Sequence, residues 1–288
     1  MEENKPTEFP GKQEQHQPGI EKEMEIKPEY IRPGYKGSDK LKDKVALVTG
    51  GDSGIGRAVC VHFAREGADI AISYLPQEKV DAEDTKALVE KEGRRCLLLP
   101  GDLRDKAYCE SIVEQTVKEF GKLNVLVLNA GVGYNVDDLQ KLEDEQIEET
   151  FDVNIISQFR VTRAALKYMK EGDTIISNAS INAYRGHKTL VDYSATKGAI
   201  MGFVRSMSQQ LVGKNIRVNA VAPGAIWTPM ITSTRPPEEL KKFGQSAPMK
   251  RAGQPSEVAT CFVFLACEDS SYMSGQCLHP NGGFVLNT

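Results

Sequence analysis

The sequence predicts an α/β fold in which a doubly wound parallel sheet forms the centre of a single domain. From about residue 44 onwards, short apolar runs alternate with amphipathic helical stretches, which is the pattern of repeated strand–helix units. The apolar runs contain few polar residues, so helices must cover both faces of the sheet. A chain of 288 residues, with 40% hydrophobic and 26% charged residues, is long enough to bury one substantial core.

Residues 1–40 differ in composition from the rest of the chain. They are rich in Glu, Lys, Gln and Pro and have neither helical nor strand periodicity. Two interpretations fit this segment: a disordered tail, or an extended segment that docks on the domain or on a sister subunit through Tyr30, Ile31 and Tyr35. We therefore divide the chain into an extended or disordered arm, residues 1–40, and one domain, residues 41–288.

The domain is predicted to alternate strands with helices. Strands are predicted at 45–49, 69–73, 95–99, 125–128, 174–177, 217–221 and 276–279, and helices at 54–66, 79–92, 105–120, 144–169, 192–213 and 255–267. Residues 228–253 break this alternation and are rich in proline. Because this connection follows the carboxyl end of a strand, where doubly wound folds bind ligands, we predict that it forms a substrate lid.

Composition also limits the partners of the protein. The net charge of -4 gives no electrostatic reason to expect binding to nucleic acid or to an anionic membrane. The six cysteines form no C-x-x-C pair and have no histidine at zinc-ligand spacing, so we expect reduced thiols and no metal site. The chain begins without an apolar leader and lacks a run of about eighteen apolar residues. We expect a soluble cytoplasmic protein.

A glycine-rich turn directly follows the first predicted strand and opens the first helix. Gly50 permits a tight turn, Gly54 lets the backbone approach a pyrophosphate, and Gly56 allows close packing of the helix. The free N–H groups at the helix N-terminus suit an anionic ligand. In this strand–turn–helix context, the glycines predict dinucleotide binding.

Tyr193 and Lys197 lie four residues apart in a predicted helix and share one face of it. A phenol has a reference pKa of about 10, and a fixed neighbouring cation favours its phenolate form. The pair can therefore supply a proton donor and acceptor. By itself it also fits a helical Tyr and Lys with no shared task, so its interpretation depends on the rest of the chain.

A set of motifs resembles the short-chain dehydrogenase/reductase family, whose core is an NAD(P)-binding Rossmann fold. The resemblance covers residues 44–286. Its motifs are Thr49-Gly-x-x-x-Gly-x-Gly56, Asn129-Ala-Gly131 after the fourth strand, the ordered residues Asp102, Asn154, Ser180, Tyr193 and Lys197, and Pro223-Gly-x-x-x-Thr228. The Pro-rich arm and the strings Gly51-Asp-Ser-Gly-Ile-Gly-Arg57 and Ser73-Tyr-Leu-Pro76 resemble a bacterial subgroup of general stress or glucose/ribitol dehydrogenase-like oxidoreductases.

The resemblance implies a role for each of four residues. Tyr193 would act as general acid in reduction and as general base in oxidation. Lys197 would hold the ribose hydroxyls of the cofactor and favour the Tyr193 phenolate. Ser180 would donate a hydrogen bond to the substrate oxygen. Asn154 would hold a water molecule that links Lys197 to solvent.

The resemblance also implies an NAD(P) site. Its residues would be Gly50, Asp52, Ser53, Gly54, Ile55, Gly56, Tyr74, Asp102, Leu103, Asn129, Ala130, Gly131, Tyr193, Lys197, Pro223, Gly224, Ile226 and Thr228. Asp102 would bind the adenine amino group, although a turn or helix-cap role also fits it. The choice between NAD and NADP stays open, because the end of the second strand carries neither an acidic nor a basic residue. Asp52 would oppose a 2'-phosphate, whereas Ser53 would donate to one.

The function that the resemblance implies is hydride transfer between NAD(P) and a small aldehyde, ketone, sugar or polyol. A 3-oxoacyl thioester reductase is an alternative with the same active residues. A non-catalytic NAD(P)-binding sensor is another, against which the intact Ser180, Tyr193 and Lys197 argue. His187 is a further candidate for the substrate pocket, although a position in a solvated loop fits it equally. Trp227 and Met230 are candidates too, and for both the alternative is a place in the core. The family's helix pairing implies a homotetramer.

Overall fold

A parallel sheet lies at the centre of the computed structural model, which describes residues 5–10 and 15–286. In these residues the sheet has seven strands in the order β3-β2-β1-β4-β5-β6-β7, and every neighbouring pair is parallel. The strands are β1 (Val45–Thr49), β2 (Asp69–Tyr74), β3 (Cys96–Pro100), β4 (Val125–Leu128), β5 (Thr174–Asn178), β6 (Arg217–Val221) and β7 (Cys277–Leu278). The order reverses between β1 and β4, so the predicted doubly wound sheet is confirmed.

Helices connect these strands. In chain order they are α1 (Gly54–Arg65), α2 (Lys79–Lys91), α3 (Lys106–Phe120), α4 (Asp144–Phe151), α5 (Ser157–Ala165), α6 (Asn182–Arg185), α7 (Val191–Leu211), α8 (Pro229–Thr234), α9 (Pro237–Leu240) and α10 (Pro255–Ala266). The short helices α8 and α9 lie in the connection that the sequence predicts to be a lid. The remaining long helices lie within a few residues of their predicted positions, with one exception.

The exception is the helix predicted at 144–169, which the structure divides into three parts. Between α4 and α5 lies a π-helical turn, Asp152–Ile156, and α5 ends at Ala165. The side chain of Gln158 donates to the carbonyl of Asn154 in this turn (3.0 Å). A π-turn widens the helix by one residue, and such turns are frequent at functional sites. The prediction of one regular helix was therefore wrong at Asn154.

The two faces of the sheet carry separate apolar cores, because alternate residues of a strand point to opposite sides. In β1, Ala46 and Val48 pack with α1, α2 and α10, whereas Leu47 packs with α3, α5 and α7. Every residue of β1, β4 and β5 is buried. Burial on both faces is what the near-continuous apolar runs of the sequence require.

The described residues of the arm lie against the domain. Phe9 stacks on the ring of Trp227 with their centroids 3.8 Å apart, and the Trp227 indole N–H donates to the carbonyl of Ile26 (2.9 Å). Together with residues of the predicted lid, they form a third apolar cluster: Phe9, Met24, Trp227, Leu240, Phe243 and Ala252. Trp227 is fully buried in it. The arm and residues 228–253 are thus packed through one shared core.

The predicted anchors of the arm contact the domain to different extents. Tyr30 packs against the core on the α1 side of the sheet. The Tyr35 hydroxyl donates to Glu66, and its ring lies edge-on to His62 at 4.5 Å. Ile31 is partly buried. These contacts favour the docked interpretation of the arm.

Three further features concern the environment of the chain. No helix in the described part of the chain combines the length and the apolar character needed to cross a membrane. All cysteines are free thiols that are buried or partly buried. Among residues 5–10 and 15–286, His, Cys, Asp and Glu side chains form no group of three or more that could hold a metal ion.

Trp227 is the single tryptophan of the chain, so its fluorescence reports directly on the arm. The substitution Phe9→Ala should expose one face of the indole and shift its emission to longer wavelength. We also expect the free energy of unfolding to fall by about 3 kcal/mol, as for other buried Phe→Ala changes. Tyr272→Ala, at a fully exposed position, is the control and should leave the spectrum unchanged. An unchanged emission maximum in Phe9→Ala would show that the arm does not dock in solution.

Candidate active site

A cavity of about 490 Å³ opens at the carboxyl ends of the central strands. It lies where the strand order reverses, which is the ligand-binding position of doubly wound folds. Every predicted cofactor residue lines this cavity except Gly56. Of the predicted catalytic residues, Ser180, Tyr193 and Lys197 also line it, whereas Asn154 does not. The fold therefore brings together residues that lie more than a hundred positions apart in the chain.

The glycine-rich turn forms one wall of the cavity for steric reasons. Gly50 has a φ of +61°, which L-residues rarely adopt, and a Cβ there would lie 3.0 Å from the Cα of Ala130. A Cβ on Gly56 would lie 1.8 Å from the carbonyl oxygen of Gly50. Gly56 thus packs beneath the turn, which explains why it does not face the cavity. Ser53, Gly54 and Ile55 at the start of α1 line the cavity, and although the Gly54 N–H is bonded to Glu21, the backbone of this turn forms a cradle that fits the pyrophosphate of NAD(P).

Tyr193 and Lys197 project from α7 towards Ser180, which follows β5. The Lys197 ammonium donates to the carbonyl of Asn178 (2.8 Å) and lies 5.3 Å from the centroid of the Tyr193 ring. The Ser180 hydroxyl forms a hydrogen bond with Tyr193. Ser180 and Lys197 are both buried. The three side chains thus form one contiguous polar group at the floor of the cavity.

Burial affects the protonation of Tyr193 and Lys197 more strongly than the interaction between the two side chains does. Burial raises the pKa of Tyr193 to about 12, and the hydrogen bond from Ser180 only partly opposes that shift. Burial also lowers the pKa of Lys197 to about 7, because a desolvated ammonium is disfavoured. The expected stabilisation of the Tyr193 phenolate by Lys197 is therefore outweighed here. At neutral pH, Tyr193 is a phenol that can donate a proton.

Asn154 connects three parts of the site through its side chain. Its amide oxygen accepts from the backbone N–H of Val132 (2.8 Å), and its amide nitrogen donates to the Val132 carbonyl (2.8 Å) and to the Thr196 hydroxyl (3.1 Å). The π-turn directs this side chain towards the strand-end loop. These contacts connect Val132 to α7 at Thr196, the residue that directly precedes Lys197. The water-holding role of Asn154 stays a prediction.

Asp102 and Asn129 line the cavity while also serving local structure. Asp102 accepts from the backbone N–H of Arg104 (2.8 Å), as expected for a turn residue, and also from the Arg104 guanidinium (2.9 and 2.7 Å). Burial raises the pKa of Asp102, but the bonds from Arg104 outweigh it and leave that pKa below its ordinary value. Asn129 donates to the carbonyl of Gly50 (2.9 Å) and accepts from the amide of Asn178 (2.8 Å). It joins the glycine turn to β5.

Comparisons with known proteins show which family the chain belongs to. The family model described as Enoyl-(Acyl carrier protein) reductase matches residues 50–285. A short chain dehydrogenase from Burkholderia cenocepacia J2315, solved in complex with NADP, superposes with a TM-score of 0.78 at 29% identity, covering 85% of this chain and 98% of that one. The chain belongs to the short-chain dehydrogenase/reductase family. The predicted family resemblance is confirmed.

Two curated relatives cover nearly the whole length of this family member. General stress protein 39 of Bacillus subtilis (strain 168) is 54% identical over 285 residues, which is 99% of each chain. The glucose and ribitol dehydrogenase of Daucus carota is 49% identical over 284 residues, covering 97% of this chain and 98% of the relative. The chain is accordingly an NAD(P)-dependent oxidoreductase that interconverts alcohol and carbonyl groups.

In this short-chain dehydrogenase/reductase the arm contributes to the cofactor cavity, a contact that no sequence motif predicts. Its residues Gln17, Pro18 and Gly19 line the cavity. The carboxylate of Glu21 accepts from the N–H of Gly54 at the start of α1 (2.6 Å) and forms a buried ion pair with Arg57. A lone Glu in a charge-rich segment carries no signal of such a contact.

The cavity has an acidic end next to β2, formed by Asp52 and Glu78. Burial raises the pKa of Asp52 to about 6, with further repulsion from Asp81. Burial, followed by repulsion from Asp52, raises the pKa of Glu78 to about 9. Near neutral pH, Asp52 is thus the ionised member and Glu78 the protonated one. Asp52 is one of the predicted cofactor residues. Glu78 was not predicted, because it lies four residues after the end of β2 and belongs to none of the family motifs.

A second cavity of about 110 Å³ adjoins the first on the side of the predicted lid. Ser180, Tyr193 and Met230 line both cavities. His187 lines the smaller cavity, which agrees with its interpretation as a pocket residue. Trp227, by contrast, belongs to the cluster between arm and lid and not to the pocket.

The acidic end predicts tighter binding of NADH than of NADPH. A 2'-phosphate near the second strand would approach the Asp52 carboxylate, at a cost on the order of 1–3 kcal/mol, which is about 5- to 150-fold in the dissociation constant. Asp52→Asn should remove most of this preference. Glu83→Gln, on the exposed side of α2, is the control. Dissociation constants follow from nicotinamide fluorescence on the cofactor-free protein.

The preference should also depend on pH. As the pH falls through about 6, Asp52 gains a proton, so its repulsion of a phosphate disappears and NADPH binding approaches that of NADH. The 2'-phosphate of NADPH also gains a proton as the pH falls. The variant Asp52→Asn keeps that pH dependence but lacks the one that arises from Asp52, so the two can be separated. Equal affinity for both cofactors at pH 8 would contradict the prediction.

Proposed function

We propose that the protein reduces small aldehydes, ketones and sugars and oxidises the corresponding alcohols and polyols, with Tyr193 as proton donor and acceptor. The observation that carries this proposal is the position of Ser180 and Tyr193 at the junction of the two cavities. The larger cavity has the size and the glycine cradle that suit NAD(P), and the smaller one would hold the substrate. A substrate oxygen at this junction would face both hydroxyls.

Each residue of the junction would have a distinct task. NAD(P), when bound, supplies or accepts the hydride. The Tyr193 phenol would pass its proton to the substrate oxygen in reduction and take it back in oxidation. Ser180, which already bonds Tyr193, would orient that oxygen. Lys197 would bind the ribose hydroxyls, and Asn154 would keep the adjoining loop and α7 in register.

The proposed substrate class rests on the relatives and on the size of the pocket. A relative that is 49% identical is named glucose and ribitol dehydrogenase, which favours sugars and polyols. The smaller cavity, about 110 Å³, also carries the polar side chains of Asn135, Asn182 and Thr234. We propose that residues 228–253 act as the lid of this cavity, because α8 supplies Met230 and Thr234 to its wall.

A 3-oxoacyl thioester reductase is the second candidate, favoured by the likeness to a solved 3-ketoacyl-(acyl-carrier-protein) reductase from Brucella melitensis, which superposes with a TM-score of 0.77 at 31% identity. A carrier-bound acyl chain would need a basic rim at the pocket. On the lid, Lys241, Lys242 and Lys250 are exposed, but Arg251 is engaged in a two-point ion pair with Glu257. The small volume of the pocket favours the shorter substrates. A non-catalytic sensor would not require the assembled Ser180 and Tyr193.

The substitution Tyr193→Phe tests the proposed mechanism. We expect kcat to fall by about 10²- to 10⁴-fold, the usual contribution of a positioned acid or base, with the affinity for NADH unchanged. Turnover is measured at the nicotinamide absorbance with a panel of aldehydes, sugars and polyols. Tyr168→Phe, a partly buried tyrosine that does not line either cavity, is the matched control. Full activity of Tyr193→Phe would refute the mechanism.

We further propose that the protein is a cytoplasmic homotetramer that pairs through α4, α5 and α7. Large apolar side chains are exposed on and next to these helices: Ile156, Phe159, Val191 and Val212. Burying them between subunits would remove apolar surface from water. Sedimentation velocity should show a tetramer at micromolar concentration, and Phe159→Glu should shift it to smaller species. A monomeric wild-type protein would exclude this assembly.

A further inference from the structure

The smaller cavity contains two guanidinium groups that the proposed mechanism does not use. Arg185 is the last residue of α6, five positions after Ser180, and Arg235 directly follows α8 on the lid. Both line the same cavity as Ser180 and Tyr193. Neither lines the larger cavity. They are therefore placed to contact the substrate and not the phosphates of the cofactor.

Both guanidiniums are held in position by neighbouring side chains. Arg185 lies over the ring of Phe284 with 4.9 Å between guanidinium carbon and ring centroid, and Arg235 lies over the ring of Phe243 at 5.5 Å. Arg235 also donates to the carboxylate of Glu239 (2.7 Å). Arg185 Nε donates to the amide oxygen of Asn182 (3.4 Å). Stacking on an aromatic ring leaves the other N–H donors at the edge of each guanidinium available to an anion.

The balance of charge at this end of the cavity is positive. Among the described residues, Glu239 pairs with Arg235, whereas no carboxylate lies within ion-pair distance of Arg185. Burial, then the charge of Arg235, lowers the pKa of Arg185. Burial, then both guanidiniums, lowers the pKa of His187, so this imidazole is uncharged at neutral pH. Lys188 adds a further positive charge next to it.

The two like charges repel each other, Glu239 offsets only that of Arg235, and an anion bound to both would offset the positive charge that remains. An Arg pair also supplies the forked N–H donors that carboxylates and phosphates accept. A neutral sugar or aldehyde would leave the repulsion in place. The electrostatics of the cavity therefore distinguish between substrates that differ only in charge.

We propose that the substrate carries an anionic oxygen group, a carboxylate or a phosphate, that binds Arg185 and Arg235 while its carbonyl or alcohol carbon lies beside Tyr193 and Ser180. This inference rests on the proposed function and narrows its substrate class. Because Arg235 belongs to the lid and Arg185 to the body of the domain, the anion would also join the two. The small cavity limits such a substrate to a short chain.

The experiment compares substrates that differ only in the anionic group. Butanal is paired with 4-oxobutanoate, and glyceraldehyde with glyceraldehyde 3-phosphate, each reduced by the enzyme with NADH or NADPH. We expect kcat/KM to be about 10- to 100-fold higher for the anionic member of at least one pair, the usual effect of a charge-assisted hydrogen bond. The advantage should shrink as salt is added. Which pair shows the larger ratio identifies carboxylate or phosphate as the group recognised.

Variants connect the preference to the two arginines. Arg185→Gln and Arg235→Gln should each lower kcat/KM for the anionic substrate by about 10-fold or more and leave the neutral partner nearly unchanged. Arg185→Lys keeps the charge without the forked donors and should retain part of the preference. Lys241→Gln, which removes an exposed charge elsewhere on the lid, is the matched control.

A binding measurement that needs no turnover separates this inference from the proposed function. Butanoate should bind the wild-type protein by calorimetry in the presence of cofactor, and Arg185→Gln and Arg235→Gln should weaken that binding. If neutral and anionic substrates are reduced equally well and both variants behave as wild type, the inference is overturned while the proposed function stands. If no substrate is turned over but butanoate binding still requires the arginines, the proposed function fails and the anion site is supported.

Discussion

The constraint on which the site depends is the reversal of strand order between β1 and β4. At that point the connections leave the sheet to opposite faces, so a crevice opens at the carboxyl ends of the strands. The glycine turn after β1, the Asn129 loop after β4 and Ser180 after β5 all end at this crevice. These three segments meet because the strands are parallel, which places the carboxyl ends of strands that are distant in the chain at one edge of the sheet.

Desolvation is the second force that shapes the site. It raises the pKa of Tyr193 and lowers that of Lys197, so the pair is less charged near neutral pH than its side-chain types suggest. The same effect makes Asp52 and Glu78 hold protons at unusually high pH. Charge in the cavity is thus set by depth of burial, which makes the site responsive to any ligand that enters with its own charge.

The arm and residues 228–253 pack as a single unit beside the smaller cavity. Phe9 from the arm and Phe243 from the lid both contact Trp227, and the arm's Glu21 reaches the first turn of α1. A movement of the lid would therefore disturb packing that extends to the cofactor cradle. Arg235 lies over the ring of Phe243, so the proposed anion site and the arm both contact residues 228–253 through this one aromatic side chain.

The sequence by itself determined the strands, most helices, the glycine cradle and the pair Tyr193 and Lys197, to which the family resemblance added Ser180. These features have local causes: hydrophobic periodicity, positive φ at glycine, and residue spacing within one helix. Only the tertiary structure decided the docked arm, the acidic pair at Glu78, the π-turn that redirects Asn154 and the approach of Arg185 to Arg235. Each of these depends on contacts between residues far apart in the chain, and such contacts leave no period or motif in the sequence, because their energy comes from burial and charge at a distance.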